Sequence, residues 1–571
     1  MDLSDKRPLR QRLPIGIDDY KDLIDLNCVY IDKTSLLKEF WDNTSKVTLI
    51  TRPRRFGKSI TLSMIRYFFE KTEQSTTYLF EKSKIWQEER FRELQGTYPV
   101  IFISFKDIKA KSWEGVYLEL KTLLAKEVYR TLEPLRSQMD HFYSTRYDLL
   151  INKIADEAEF SESLIFITEA FRKFFDKKTI ILIDEYDSPI THSYVHGFYT
   201  EMFEFMRQLL SKALKGNENL HRALMTGVVR TAKDGILSGL NNPDIYTMID
   251  AGYSDKFGFT EEEVEGLLVN LQCVDKKEEV KSWYNGYALG SKHGLNTKIY
   301  NPWSVLQYLK NFCIPETYWA NTGSTELLER LISEADEKIQ GELKLLVEGN
   351  FLEKKLINQD VILLDLDKGE VEPWSFLFFA GYLTVSDHLF QDDQHYYILT
   401  IPNKEIASLY KKLVKSVIDK KFTSKKLDGL LKALIFGDIA SLNTLLGEFI
   451  LSMCSFHDLP KDDPERSLHM FVLGLLASLS ERYVIKSNLE SGDGRYDIAM
   501  YPKKGDLAIL IEFKKGKDRK VEKLADQALK QITLNRYEAS LRDFGYKGEV
   551  LCYGVGTFKK HLVAKMKKIF V

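Results

Sequence analysis

The chain has 571 residues, 44% of them hydrophobic and 29% charged, and its formal net charge is −2. This length is too great for one hydrophobic core, so we expect three or four domains, and the composition excludes a largely disordered or fibrous protein. Five scattered cysteines without Cys-x-x-Cys spacing argue against a disulfide framework or a zinc site. Because no apolar run approaches the ~18 residues of a transmembrane helix and the N-terminus lacks the apolar segment of a secretory signal, we expect a cytoplasmic protein without membrane association.

Residues 47–70 predict a strand, a basic loop and a helix, since a short apolar run is followed by apolar residues at helical spacing. The loop ends like a phosphate-binding loop. Gly57 would let the backbone approach phosphate, Lys58 would reach the β/γ-phosphates, and Ser59 would place a hydroxyl on Mg²⁺ at a helix N-terminus. Arg52 stands where the pattern G-x-x-x-x-G-K-[ST] requires its first glycine. The predicted nucleotide-binding residues of this segment are Arg55, Gly57, Lys58, Ser59 and Ile60.

The segment 178–189 predicts a buried strand that ends at Asp184 and Glu185. Its four consecutive apolar residues are typical of a parallel sheet, and ligands bind at the carboxyl ends of such strands. Asp184 would hold Mg²⁺ directly or through water, and Glu185 would orient or deprotonate an attacking water; the alternative is an ordinary acidic strand end facing solvent. A third apolar strand contains Thr226 and Arg230, which either sense a γ-phosphate or belong to a strand-ending turn.

The other elements predicted between residues 29 and 230 complete an alternation of strands and helices. We predict a short strand at 29–34 before a helix at 35–41, a buried strand at 98–105, and charged, periodic helices across 112–176. Alternating strands and helices across 47–230 imply a parallel sheet wrapped by helices.

Beyond residue 255 the pattern becomes mainly helical, with aromatic clusters at 283–287 and 300–304. Domain packing explains such clusters better than binding boxes do, and an Asn-Pro step in the second cluster predicts a turn and a helix start. More helices follow, with a small strand pair near 361–365 and 396–401. We find no catalytic constellation there and expect a lid, a spacer or a winged-helix-like part. The predicted domains are a P-loop domain at 1–255, a helical middle region at 256–459 and a C-terminal α/β domain at 460–571.

The C-terminal segment carries an excess of positive charge. Residues 501–571 contain 17 lysines and arginines and 8 aspartates and glutamates, a net charge of +9. Such a balance suits a polyanionic partner, although a solvated lysine-rich surface would have the same composition.

The same segment contains a second chemical motif on a predicted hairpin. Asp497 begins one strand, and Glu512 and Lys514 share one face of the other, so two carboxylates and a lysine converge. Asp497 and Glu512 are suitable Mg²⁺ ligands, and Lys514 would orient or deprotonate a metal-bound water and stabilise charge on a phosphodiester. Glu465 on the preceding helix would be an additional ligand, and Gln531 on the following helix would face the site. A hairpin whose charges merely lie near each other is the alternative.

Nine segments match one known pattern, in order over nearly the full length: LPIGIDDYKDLI (13–24), VYIDKTSLL (29–37), RPRRFGKSITLSM (52–64), LIDEYDSPI (182–190), MTGVVRTAKDGILSGLNN (225–242), FGFTEEEV (257–264), WYNGYALG (283–290), YNPWSVLQYL (300–309) and the tail from 488 to 531. On these segments the chain resembles a bacterial family that joins an AAA-ATPase-like N-terminal domain to a C-terminal PD-(D/E)XK nuclease domain. Arg52 in place of the first glycine is that family's own pattern. Residues 554–561 follow the family's closing strand only loosely, which leaves the role of Lys560 open.

The resemblance implies an α/β fold with a P-loop NTPase parallel sheet, a helical middle region and a restriction-endonuclease-like C-terminal domain. It implies ATP and Mg²⁺ as cofactors, with Lys58 and Ser59 as nucleotide ligands and Asp184 and Glu185 as the Mg²⁺ and water residues. It also implies a nuclease site at Asp497, Glu512 and Lys514. We expect a nucleotide-regulated nuclease acting on DNA in preference to RNA, as a monomer or a homo-oligomer. Two alternatives remain: a nucleotide-dependent switch or scaffold that binds nucleic acid without cutting it, and an ATPase that uses the tail as a nucleic-acid anchor.

Overall fold

The computed structural model describes residues 12–230, 243–319, 328–329, 337–359, 373–454, 464–491, 494–505, 507–516, 520–534, 541–542, 545–558 and 561–571. The chain divides into two compact units, one formed by residues 1–323 with 353–405 and the other by 324–352 with 406–571. The predicted domain boundaries after residues 255 and 459 stay predictions. Among the described residues, no helix combines the length and the apolar character needed to cross a membrane.

The helices of the described residues are α1 (Tyr20–Asp25), α2 (Ser35–Asp42), α3 (Lys58–Phe69), α4 (Glu89–Leu94), α5 (Trp113–Leu132), α6 (His141–Ile151), α7 (Glu157–Ser161), α8 (Ser163–Phe175), α9 (Ser188–His196), α10 (Tyr199–Leu214), α11 (Glu261–Asn270), α12 (Lys277–Tyr284), α13 (Pro302–Lys310), α14 (Glu337–Val347), α15 (Trp374–Phe379), α16 (Lys404–Lys421), α17 (Ser424–Phe436), α18 (Ile439–Cys454), α19 (Pro464–Leu479) and α20 (Val521–Leu534). The strands are β1 (Val47–Thr51), β2 (Val100–Ser104), β3 (Thr179–Asp184), β4 (Leu220–Gly227), β5 (Asp244–Tyr246), β6 (Tyr287–Leu289), β7 (Thr297–Ile299), β8 (Leu352–Leu356), β9 (Thr384–Gln391), β10 (Gln394–Thr400), β11 (Tyr483–Ser491), β12 (Gly494–Pro502), β13 (Ala508–Lys515), β14 (Glu549–Phe558) and β15 (His561–Phe570).

A five-stranded parallel sheet organises the first unit, with strand order β2-β3-β4-β1-β5. Its two faces cover separate apolar cores, because side chains alternate along each strand. Leu49 and Ile183 pack with α5, α8 and α10, whereas Ile50 and Leu182 pack with α2 and α3. Since β1, β3 and β4 are parallel neighbours, their carboxyl ends meet at one edge of the sheet. The predicted P-loop-type α/β fold is thereby confirmed.

Of two shorter predicted strands, one is replaced by a loop and the other is present. No strand forms at 29–34: the Val29 N–H donates to the Arg12 carbonyl (2.8 Å), next to an isolated bridge between Arg12 and Cys28, and the chain then makes a loop before α2. In this loop the Asp32 carboxylate accepts hydrogen bonds from the N–H (2.8 Å) and the hydroxyl (2.6 Å) of Thr34, which closes a turn, and from the distant Lys84 N–H (2.6 Å). The predicted strand near 396–401 corresponds to β10, which pairs with β9 and β8; its predicted partner at 361–365 lies outside the described residues.

The second unit contains a mixed five-stranded sheet with strands β11 to β15 in sequential order. All its pairs are antiparallel except β13 and β14, which are parallel and joined through α20. Gly554 and Gly556 let α20 lie unusually close to β14: a Cβ on Gly554 would be 2.3 Å from the Ala525 carbonyl oxygen, and one on Gly556 would be 2.0 Å from that of Val521. These glycines therefore fix α20 over the sheet.

Candidate functional site

The phosphate loop of the first unit connects β1 to α3. Gly57 precedes the helix with φ of 84°, in the left-handed region that residues with a Cβ rarely adopt. This turn allows α3 to start at Lys58 with its unpaired N–H groups directed toward the loop, an arrangement that attracts anions.

Lys58 is folded over the loop that precedes it. Its ammonium group donates hydrogen bonds to the carbonyl oxygens of Arg52 (3.0 Å) and Pro53 (2.9 Å), and the residue is 4% exposed. Burial lowers the pKa of Lys58, while the carboxylates of Glu185 and Asp184 act in the opposite direction. The lysine is therefore held at the mouth of the loop, next to the acidic end of β3.

Asp184 is the centre of the polar cluster at the edge of the sheet. This fully buried carboxylate accepts hydrogen bonds from the hydroxyls of Ser59 (2.6 Å) and Thr226 (2.7 Å), with Ser104 at 3.3 Å. The structure thus brings together side chains from α3, β2, β3 and β4. Thr226 uses its hydroxyl to position Asp184, and its direct role toward a γ-phosphate stays a prediction.

Two acidic residues follow Asp184 in different surroundings. Glu185 has φ of 52°, a strained conformation for a residue with a side chain, and burial raises its pKa. Asp187 is buried and accepts hydrogen bonds from the backbone N–H groups of Val228 and Val229, both at 2.9 Å. The Asp187 carboxylate thereby fixes the chain after β4. This role was not predicted from the sequence, although the spacing of the acidic residues in DEYD, at the end of an apolar strand, is a signal for it.

Arg52 explains the missing glycine of the loop pattern. Its guanidinium is fully buried and donates to five backbone carbonyls, those of Thr51, Tyr246, Thr247, Gly252 and Tyr253, at 2.8–3.3 Å. Burial lowers the pKa of Arg52 to about 10, so the group stays charged at neutral pH. The arginine therefore attaches the phosphate loop to the segment 246–253.

Replacing Arg52 by methionine is expected to lower the free energy of unfolding of the first unit by about 3 kcal/mol or more, because five buried carbonyls lose a charged donor. Urea denaturation of the full-length protein, without nucleotide, measures the change. The exposed neighbour Arg54 provides the control, and an Arg52→Met variant as stable as Arg54→Met would contradict this role.

Two tryptophans from later in the chain cover the loop. The Arg55 guanidinium lies 4.5 Å from the ring centre of Trp303, and the Trp319 indole N–H donates to the Arg54 carbonyl (3.0 Å). The backbone N–H of Trp319 donates to the buried carboxyl of Glu405 (2.6 Å), which also accepts from the Ser304 hydroxyl (2.8 Å). The predicted nucleotide-binding role of Arg55 stays a prediction, since the structure stacks its side chain on an indole.

Glu405 makes the stability of this cover depend on pH. Burial raises the pKa of Glu405 to about 7 from an ordinary value of 4.5. Between these two pH values the carboxyl of Glu405 is therefore protonated in the folded protein and ionised in the unfolded chain. The contribution of Glu405 to the free energy of unfolding is complete below pH 4.5 and is lost as the pH rises through about 7. We expect the free energy of unfolding of the wild type to fall by about 2–3 kcal/mol more than that of Glu405→Gln between pH 5 and pH 8.

Urea denaturation at the two pH values measures this difference. Glu278→Gln, at an exposed position of α12, is the matched control and should keep the wild-type dependence. Equal pH dependence of wild type and Glu405→Gln would show that the carboxyl of Glu405 does not titrate in this range.

The second unit carries the other predicted site on β12 and β13. Ile498 pairs with Ile511 in this antiparallel ladder, so Asp497 and Glu512 lie next to each other at its end. The Asp497 carboxylate accepts a hydrogen bond from the Phe513 N–H (2.6 Å), and the Lys514 ammonium lies 3.8 Å from a Glu512 oxygen. The structure therefore brings the two carboxylates and the lysine together.

The electrostatics of Glu512 fit a cation ligand. Glu512 is 3% exposed, and its Oε2 atom has no hydrogen-bond partner within the part of the chain that the structure describes. Burial, and then the neighbouring Asp497 carboxylate, raise the pKa of Glu512 to about 8, whereas Lys514 and a hydrogen bond from Gln531 oppose the shift. An unpartnered oxygen on the buried Glu512, beside the half-buried carboxylate of Asp497, is a site that a divalent cation would satisfy. The described residues hold no group of three or more His, Cys, Asp or Glu at metal-binding distance.

The structure gives fewer contacts for the other residues that the sequence singled out. Ile60 lies in the first turn of α3 and packs against the apolar core, and Arg230 follows β4. Glu465 lies on α19, but its side chain is outside the part that the structure describes, as is all of Lys560. Their functional roles stay predictions.

Comparisons with known proteins identify two domains in the chain. Residues 14–237 match the family model described as predicted AAA-ATPase, and residues 463–566 match the model of the PD-(D/E)XK nuclease superfamily. A protein from Azotobacter chroococcum mcd 1, described as an uncharacterized protein in vnfD 5'region, is 27% identical over 469 residues, which cover 80% of each chain. No solved structure is significantly similar to this chain. The chain thus joins an AAA-ATPase-like domain to a PD-(D/E)XK nuclease superfamily domain, and the resemblance inferred from the sequence is confirmed.

Proposed function

We propose that this protein is a nucleotide-regulated, Mg²⁺-dependent nuclease that cleaves phosphodiester bonds, with DNA as the preferred substrate and the cytoplasm as its location. The observation that carries the proposal is the convergence of Asp497, Glu512 and Lys514, with an unpartnered carboxylate oxygen buried among them. A structural ion pair would not leave that oxygen without a partner, because burying an unsatisfied polar atom costs free energy.

In the nuclease-like site, Asp497 and Glu512 would hold Mg²⁺, which supplies an activated water and stabilises charge on the phosphodiester. The hydrogen bond from Phe513 fixes the orientation of Asp497. Lys514, with 35% of its side chain exposed, can reach both solvent and Glu512, so it would orient the attacking water or neutralise the phosphate. Gln531 orients Glu512 from α20.

In the first unit, Lys58 would exchange its bonds to the loop carbonyls for oxygens of the β- and γ-phosphates of ATP. Ser59 and Asp184 already share a hydrogen bond, which is the arrangement needed to hold the Mg²⁺ of a bound nucleotide. Glu185, with its raised pKa and strained backbone, would accept a proton from water, so hydrolysis of ATP is part of the proposal.

The test of nuclease activity uses the full-length protein with a panel of single-stranded and duplex DNA and RNA in the presence of Mg²⁺. We expect the wild type to cleave at least one member, and Lys514→Ala to lose that cleavage. The exposed Lys530 on α20 gives the matched control, Lys530→Ala. A wild type that binds the panel and cuts nothing would favour the alternative of a nucleotide-dependent switch or scaffold.

A further inference from the structure

Helices α16 and α17 concentrate positive charge in the second unit. Residues 406–432 contain eight lysines, two aspartates and no arginine or glutamate, a net charge of +6, whereas the whole chain has a net charge of −2. The side chains of Lys412, Lys415 and Lys425 are exposed. This segment precedes the matched nuclease segment, which begins at residue 463. Such an excess of charge marks either a solvated surface or the binding site of a polyanion.

Two lysines from distant parts of the chain meet at one serine. Ser480 lies in the turn between α19 and β11, where its hydroxyl accepts a hydrogen bond from the Lys411 ammonium (3.0 Å) and its carbonyl oxygen accepts one from the Lys503 ammonium (2.8 Å). Both acceptors are neutral, and each ammonium group has three donors, so each lysine can still bond to an anion. Burial, and then the charge of Lys503, lower the pKa of Lys411, while Glu481 opposes the shift. The turn therefore holds two positive charges close together.

Other lysines extend this positive charge along α16. Lys415 lies one turn after Lys411 on the same side of the helix, and the exposed Lys504 follows Lys503. Next to them is an open groove of about 430 Å³, lined within the described residues by Lys412, Lys415, Ser416, Asp419 and Lys420. We name this surface the basic stripe; its members are Lys411, Lys412, Lys415, Lys503 and Lys504.

The carboxylates along the groove lie at its far end. Asp419 lines the groove there, and Glu329 forms an ion pair with Lys420 (2.8 Å), so positive charge predominates in the basic stripe. The segment 411–420 spans about 13 Å of helix, over which one strand of duplex DNA presents about four phosphates. The surface therefore suits an extended polyanion better than a small anion.

The basic stripe is separate from the candidate catalytic residues. Lys503 follows β12, six residues after Asp497, which corresponds to about 20 Å along an extended strand. A lysine at this distance takes no part in the cleavage chemistry, but it can hold a strand that continues beyond the catalytic residues. The PD-(D/E)XK superfamily match covers Ser480 and Lys503 in the same unit, so nucleic acid is the polyanion that this surface fits best.

We propose that the basic stripe binds the phosphodiester backbone of a nucleic acid strand and thereby holds the substrate of the nuclease-like domain; this inference rests on the function proposed above. It extends the nucleic acid interface beyond the matched segment 463–566 to a helix of the middle region. Because phosphate contacts carry no base information, the basic stripe should act equally on all sequences. The competing role is a solvated surface without a ligand.

The experiment compares the full-length wild type with Lys503→Gln, with the triple variant Lys411→Gln/Lys415→Gln/Lys503→Gln, and with the control Lys567→Gln. Lys567 is exposed on β15, at the opposite edge of the sheet from β11. Binding of a fluorescein-labelled duplex DNA, and of a single-stranded RNA in a parallel series, is measured with Ca²⁺ in place of Mg²⁺ across a range of salt concentrations. A third series uses vesicles that contain phosphatidylserine.

Loss of each phosphate contact should reduce the slope of log K against log salt by about one. We therefore expect a slope reduced by about one in Lys503→Gln and by about two to three in the triple variant, whose affinity at low salt should fall by about tenfold or more. Lys567→Gln should keep the wild-type slope. If the melting temperature of the triple variant falls, Lys415→Gln/Lys503→Gln, which retains the bond from Lys411 to Ser480, serves the same comparison.

An unchanged salt slope in the folded variants would overturn the inference in favour of a solvated surface. Lysine-dependent binding to the vesicles, without a lysine-dependent slope for either nucleic acid, would overturn it in favour of an anionic membrane surface. Because binding is measured without cleavage, a wild type that binds but does not cut contradicts the nuclease function alone, and a wild type that cuts while the variants keep its slope contradicts the basic stripe alone. A wild type that neither binds nor cuts overturns both.

Discussion

Replacing Glu512 by glutamine is expected to reduce Mg²⁺-dependent cleavage by at least about 100-fold. The substitution keeps the size of the side chain, and its amide can still bond to Gln531, but it removes the charge that would hold the cation. The free Oε2 atom becomes an amide group or a neutral oxygen, either of which binds Mg²⁺ poorly. Initial rates on the substrate that the wild type cleaves best, measured over a range of Mg²⁺ concentrations, give the size of the effect.

The matched control is Glu522→Gln, at an exposed position in the first turn of α20. It changes the net charge equally and should retain the wild-type rate. Because the pKa of about 8 keeps Glu512 largely protonated at neutral pH when no cation is bound, the neutral glutamine of Glu512→Gln should leave the stability of the protein close to that of the wild type. Retained cleavage in this variant would mean that Glu512 is not a ligand of the catalytic cation.

The second large effect is expected in nucleotide binding. Lys58→Met should weaken ATP binding by about 10- to 150-fold, because a charge-assisted contact to phosphate is worth about 1.5–3 kcal/mol and this lysine is buried at the mouth of the loop. Isothermal titration calorimetry with ATP and Mg²⁺ measures the affinity of the full-length protein.

Lys82→Met, an exposed position in the same unit, provides the control for loss of one positive charge. The carbonyls of Arg52 and Pro53 lose their lysine donor in Lys58→Met, so the melting temperature of the variant must accompany the titration. Wild-type affinity in a folded Lys58→Met protein would show that ATP does not bind at this loop.

Local patterns in the sequence were sufficient for the elements whose residues are close together along the chain. The apolar run before the phosphate loop and the helical spacing after it predicted β1 and α3, and the four consecutive apolar residues before Asp184 placed an acidic pair at the end of a buried strand. The hairpin motif predicted that Asp497 and Glu512 would be close, since antiparallel pairing follows from the short connection between their strands.

The sequence was less informative where the partner is distant. Arg52 bonds to carbonyls about 200 residues further along the chain, so its role has no local signal. The strand predicted at 29–34 failed for a related reason: its β-branched residues favour extended backbone, but a strand also requires a neighbour along its length. Here the Val29 N–H bonds to the Arg12 carbonyl, and Asp32 then closes a turn.

The most direct test of nucleotide-regulated cleavage uses the DNA and RNA panel with and without ATP and compares the wild type with Lys514→Ala and Lys58→Met. We predict that Lys514→Ala loses cleavage under every condition, and that ATP changes the rate of the wild type but not that of Lys58→Met. Cleavage that survives in Lys514→Ala would contradict the nuclease site, and a wild-type rate that does not respond to ATP would contradict control by the nucleotide.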